Sequence, residues 1–330
     1  MLSTKGQERV EGAVLGFLGV FNQVLNVTGP VFILVIIGLL LRRARLINEH
    51  FVQQASNLVF KGTMPVMIAV GLMRTDINTA FDPQAGILFT LLSVASFIFT
   101  WVWARWRVAI RADRGVYVQG AFRSNVGMVG LALVVNLYGS AGLGLASFLL
   151  ALHAFIYNIM SILVLSYYSS TLRLNFLKVF VDISKNPLIL AVVVGILLNL
   201  ADIRFTPWIE NSLATFGSLT LTLGLMVVGG SLSLSGLRES GRLVISATLL
   251  KLVWIPLVSA LALVALGIDG MILGALVIFL ASPTATASVV MVRAANGNAS
   301  LAAGVVVLTT LGAIITIPVG LLLLQYLQLI

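Results

Sequence analysis

Cysteine is missing from all 330 residues, which excludes disulfides, thiolate metal sites and cysteine nucleophiles together. Charge is nearly as scarce. Asp, Glu, Lys and Arg make up 9% of the chain, against about 25% in soluble domains. So few charges cannot cover a globular surface, which excludes an ordinary soluble enzyme. The eleven acidic residues all fall in loops, tails or span ends, so none can form a midplane proton relay or sodium cage. The two histidines, His50 and His153, are too far apart in sequence to suggest a zinc site, and no HExxH, Gly-x-Ser-x-Gly, GxGxxG or P-loop pattern occurs. No catalytic group, cofactor or metal is expected.

Apolar sequence is what the chain has in excess, at 59%. Long apolar runs occur near 17–41, 51–73, 84–106, 115–138, 142–168, 187–203, 208–235, 243–268, 270–292 and 299–327. A membrane-spanning helix needs ~20 such residues. The runs therefore predict an all-α membrane protein with ten transmembrane helices. The run 51–73 carries Gln53, Gln54, Asn57, Lys61 and Pro65, so neighbouring helices must shield it. The first run is too long for a cleaved signal peptide, and no small-residue cleavage site follows it.

The formal charge of +9 would suit nucleic acid if the cations shared one surface, but they are dispersed. Membrane orientation accounts for them better, because Lys and Arg concentrate in cytoplasmic loops. Ten spans with both termini on the non-cytoplasmic side put 13 cations in cytoplasmic loops and 4 opposite. The groups Arg42, Arg43, Arg45 and Arg105, Arg107, Arg111, Arg114 carry most of that bias. The expected setting is the lipid of the cytoplasmic (inner) membrane, with no nucleic-acid partner.

The sixth span resembles the first. Gly29-Pro30 with Gly38-Leu39-Leu40-Leu41 recurs as Asn186-Pro187 with Gly195-Ile196-Leu197-Leu198, offset by 157 residues. Five spans is an odd number, so two successive halves must be inserted in opposite orientations. The expected organisation is a first five-helix repeat over 1–170, a cytoplasmic linker over 171–186 and a second repeat over 187–330. Inverted repeats are common in secondary transporters, whose sites form at broken helices near the midplane.

The fourth and ninth spans look broken. The fourth reads Gly120-Ala121-Phe122-Arg123-Ser124-Asn125-Val126-Gly127-Met128-Val129-Gly130, polar and glycine-rich. The ninth carries Ala281-Ser282-Pro283-Thr284-Ala285-Thr286-Ala287-Ser288, where Pro283 removes a backbone donor and frees carbonyls. Close helix packing explains either segment alone as well as function does. Their matched positions favour two crossover helices that form a binding site.

The charges nearer the membrane interior are cations, which suits an anionic substrate. Asn125 can hold a carboxylate without a permanent buried charge, and Ser124, Ser282, Thr284, Thr286 and Ser288 can add donors. Arg123 either clamps the carboxylate or snorkels to the cytoplasmic interface. Lys61, four residues before Pro65, either serves the site or lies outside it. Lys251 reads as snorkelling. His153, with Tyr157 and Asn158 on the same span, either couples protons or is a hydrogen-bonded structural residue.

At these residues the chain resembles the auxin efflux carrier family, its bacterial branch included. Asn125 followed by Gly130 is similar to the family's first crossover. Pro283 with its Thr/Ser run, then Arg293 and Asn296-Gly297-Asn298, is similar to the second. Asn186-Pro187, Lys251 with Pro256, and Pro318 fit the same pattern. One position departs: Ala132 stands where the family has a proline after the first crossover glycine. The resemblance implies transport helices 3–5 and 8–10 moving against scaffold helices 1–2 and 6–7, and a homodimer through the scaffold. It implies small organic carboxylates as substrates, auxin-like or malonate-like. With the residue reading above, the candidate binding residues are Arg123, Ser124, Asn125, Gly127, Gly130, Ser282, Pro283, Thr284, Thr286 and Lys61. A sodium-driven symporter of the bile-acid type and a transport-dead ligand sensor are the alternatives.

Overall fold

The computed structural model describes residues 4–75, 81–169, 181, 184–232 and 241–330, with side chains from Leu18 onward. Most of the expected linker 171–186 lies outside the described residues. The elements are helical: α1 Thr4–Arg43, α2 Glu49–Leu58, α3 Met64–Arg74, α4 Pro83–Arg107, α5 Arg111–Phe122, α6 Leu131–Tyr168, α7 Pro187–Leu200, α8 Pro207–Gly230, α9 Gly241–Leu249, α10 Ile255–Ala265, α11 Gly270–Ala281, α12 Ala287–Ala294 and α13 Ala299–Tyr326. There is no strand among the described residues, only one isolated β-bridge.

Local chemistry sets the boundaries. Asn48, Asp82, Asn186 and Asn298 each accept a backbone N–H of the helix they open. Pro83, Pro187 and Pro207 follow at first helical positions, where the missing N–H costs nothing. Pro65 and Pro256 lie deeper, and each is preceded by a π-helical turn, Val59–Thr63 and Leu250–Trp254. The widened turn absorbs the hydrogen bond that the proline cannot make.

Seven stretches among the described residues are long and apolar enough to cross a membrane; α7 and α11 are apolar but shorter. The stretch Val126–Tyr168 is 43 residues long. It is divided at Gly139, whose φ of 62° and ψ of −140° belong to no helix and suit only glycine. The run expected at 270–292 is α11 and α12 separated by a break, and the run at 115–138 is broken after Phe122.

Packing falls into two main groups. α1 lies along α8, and α3 along α7 and α8. A Cβ on Gly229 would run into the Val35 carbonyl, so glycine is what lets these backbones touch. α4, α5, α6, α9, α10, α11 and α13 pack among themselves; across the groups α1 lies against α13 and α6, and α6 also meets α3 and α7.

Candidate functional site

Two helix breaks meet inside the second group. α5 ends at Phe122 and Arg123 turns extended, with φ −73° and ψ 115°. Helix resumes as the π-helical turn Val126–Gly130, which continues into α6. On the other side α11 ends at Ala281, Ser282 turns out at φ −57° and ψ 140°, and α12 begins at Ala287.

The breaks satisfy each other. Ser124 and Thr284 form an antiparallel bridge, in which Asn125 N donates to Pro283 O at 2.7 Å and Ala285 N to Arg123 O at 3.3 Å. The Thr284 hydroxyl donates to Gly120 O at 2.6 Å, and Thr284 N donates to Thr309 Oγ1 at 3.0 Å. Backbone leaving a helix in lipid has no water to pair with, so this exchange is what keeps both helices open. It also explains Ala132, which sits buried within helical α6: cross-break bonds fix the first break where no proline does. Gly130 closes the contact, because a Cβ there would lie 2.9 Å from Ser282 Oγ.

The helix ends then sort charge. The C-terminal ends of α5 and α11 point their last carbonyls into the crossing, the negative pole of each helix. Lys251, wholly buried on its π-helical turn, lies between them. Its Nζ donates to Phe122 O at 3.3 Å and to Leu280 O at 2.8 Å, and it is bonded to Ser124 Oγ. The reading of Lys251 as a snorkelling residue is overturned, since neutral acceptors inside the protein hold its ammonium. Arg123 is also buried, so it does not snorkel either. Its Nη1 donates to Tyr157 O at 3.2 Å and Ser161 Oγ at 2.7 Å, and its Nη2 to Asn158 Oδ1 at 3.0 Å.

Two buried donors have no acceptor among the described residues. A guanidinium has five N–H groups and three are used, so Nε–H and one Nη2–H of Arg123 remain; Nε is buried without a partner. Asn125 Nδ2, two residues along the same segment, is likewise buried and unpartnered. The described ion pairs are Arg42–Glu49, Arg74–Glu210 and Asp202–Arg204, none of which touches Arg123 or Lys251.

Other sequence candidates take varied places. Ser282 donates to Ile278 O within its own helix, so it and Thr284 have spent their hydroxyl protons on backbone. His153 is buried against Tyr157, ring centroids 4.2 Å apart, and donates from Nε2 to Ser124 O at 3.1 Å. Gly127 packs near Met64 and Phe60. Thr286 is half-buried at the start of α12, and Lys61 is exposed on the turn Val59–Thr63. Ser288 is buried with an unbonded hydroxyl. Sequence reading missed Gln119, fully buried one turn before the first break, although a glutamine inside an apolar helix was a visible signal. A cavity of about 510 Å³ between α4 and α10, lined by Leu92, Phe99, Trp103, Trp254 and Val258, contains no residue of either break. No group of three or more His, Asp or Glu capable of holding a metal occurs among the described residues.

Comparison with curated proteins finds no match. A family model described as membrane transport protein, the family of the auxin efflux carriers, matches residues 23–321. That family is one of transporters and not of enzymes. With its apolar helices and this match over most of its length, the chain is a multi-pass membrane protein that belongs to the membrane transport protein family.

Proposed function

We propose that this chain is a secondary transporter of small organic anions, with carboxylates bound at the crossing of the two breaks. One observation carries the reading: the carbonyl ends at the crossing are served by Lys251, whereas Asn125 Nδ2 and Arg123 Nε are buried donors without acceptors. A buried donor left unpaired costs roughly 1–3 kcal/mol, more when charged, and a carboxylate supplies the acceptors. The N-terminal ends of α12 and of the turn before α6 add positive dipole that also favours an anion.

Alternating access fits a molecule whose parts pack as α1–α3 with α7–α8 and as α4–α6 with α9–α13. In this reading the first group is the scaffold, through which two copies pair, and the second moves with the substrate. Ten passes follow if α6 crosses twice and α7 and the broken α11–α12 once each. A straight helix of 43 residues would run roughly 65 Å, twice the ~30 Å hydrocarbon core, so a turn at Gly139 is the economical solution. The antiparallel sense of the Ser124–Thr284 bridge supports half-helices entering from opposite faces, as inverted repeats require. Both termini then lie on the non-cytoplasmic side of the inner membrane.

The test is a thermal-shift screen of mono- and dicarboxylates on the purified protein, repeated on Asn125→Ala. At least one carboxylate raises the melting temperature of the wild type, by mass action on the folded state. Asn125→Ala stays folded and loses that shift. The same shift in both proteins would remove Asn125 from the site.

A further inference from the structure

We infer that Lys251 is a fixed, tethered cation at the crossing, occupying the cage of oxygens that a free alkali cation would otherwise need. Three oxygens surround Nζ. Phe122 O and Leu280 O belong to the final turns of two different half-helices, and Ser124 Oγ belongs to the bridge between the breaks. Carbonyls only accept, so the ammonium donates to both, and its three N–H groups match three oxygens. Such a set, backbone carbonyls at helix C-termini plus a hydroxyl, is also the donor set with which transporters bind sodium at unwound helices. One site cannot hold both cations.

Burying an ammonium in a span is costly, and no carboxylate compensates this one among the described ion pairs. Two helix poles converging on Nζ do compensate it. The charge has a mechanical consequence, because one side chain from the turn Leu250–Trp254 joins α5 to α11. Both half-helices are pinned to the same element, so the crossing moves as a unit. The transported anion meets a crossing whose cation is already in place, and transport proceeds without sodium or potassium. That last consequence rests on the transporter reading; the cation site itself does not.

The experiment needs no carboxylate, so its failure is distinct from failure of the proposed function. Melting temperatures of the purified full-length protein are measured at fixed ionic strength in sodium, potassium and choline chloride. The wild type melts at the same temperature in all three; a rise in sodium or potassium over choline would contradict a crossing whose only cation is Lys251. In choline, Lys251→Ala melts lower by roughly 5 °C or more. Lys251→Met, which keeps volume and drops charge, falls as far. Ethylammonium chloride restores part of the loss in Lys251→Ala, whereas tetramethylammonium, which has no N–H, does not. A methionine variant as stable as wild type, or equal rescue by the two ammonium salts, would reduce Lys251 to a packing residue. Should neither variant fold, the wild-type comparison of the three salts still decides.

Discussion

Arg123 carries the sharpest residue-scale argument. Its Nη1 donors and one Nη2 donor are fixed by Tyr157, Ser161 and Asn158, which leaves the neighbouring Nε–H and Nη2–H available as a fork. Lysine cannot present such a fork, although it keeps the charge. Arg123→Lys therefore weakens carboxylate binding by roughly tenfold to a hundredfold, the value of hydrogen bonds to a charged group. Titrating the thermal shift against ligand concentration checks this, and unchanged affinity would separate Arg123 from the substrate. Asn125 and Arg123 were legible in the sequence because polar residues interrupt an apolar run. Ser282 and Thr284 were legible as polar but not as spent: a sequence does not say which acceptor a hydroxyl meets, and both meet helix carbonyls. The partners of Lys251 were hidden for a related reason. Its bonds reach Phe122 and Ser124 far back in the chain, and the π-helical turn that aims it arises from Pro256 five residues on.

Among the elements, the two breaks and their crossing were readable, but not which residues of one face which of the other. Glycine and proline marked where α5 and α11 stop, yet only the fold brings Ser124 opposite Thr284. The contact of Gly130 with the second break provides a test. A larger residue there meets Ser282 Oγ at 2.9 Å and Phe279 at 3.2 Å from its first carbon alone. Gly130→Leu is expected to cost about 1–3 kcal/mol through overpacking, seen as a lower melting temperature. Gly127→Ala is the control, since its Cβ would meet Met64 at an ordinary 3.5 Å. Equal melting temperatures for wild type and Gly130→Leu would mean that the breaks are not held as tightly as these distances say.

For the whole molecule, the absence of cysteine becomes an experimental advantage, because a single introduced thiol is the only one to label. Cysteines at Arg43 and Ala109 are expected to react from the cytoplasmic face, and those at Phe205 and Leu266 from the opposite face. Any pair appearing on the wrong side would break the ten-pass, inverted arrangement. Composition and charge bias made the membrane class legible, but α7 and α11 were too short for length alone to settle the passes. The central proposal is an anion lodged where the two helix breaks cross. Counterflow of the best-binding carboxylate in proteoliposomes measures that directly, comparing wild type with Asn125→Ala and Arg123→Gln. Counterflow is expected in the wild type and is lost in both folded variants; wild-type rates in both variants would contradict an anion site at the crossing.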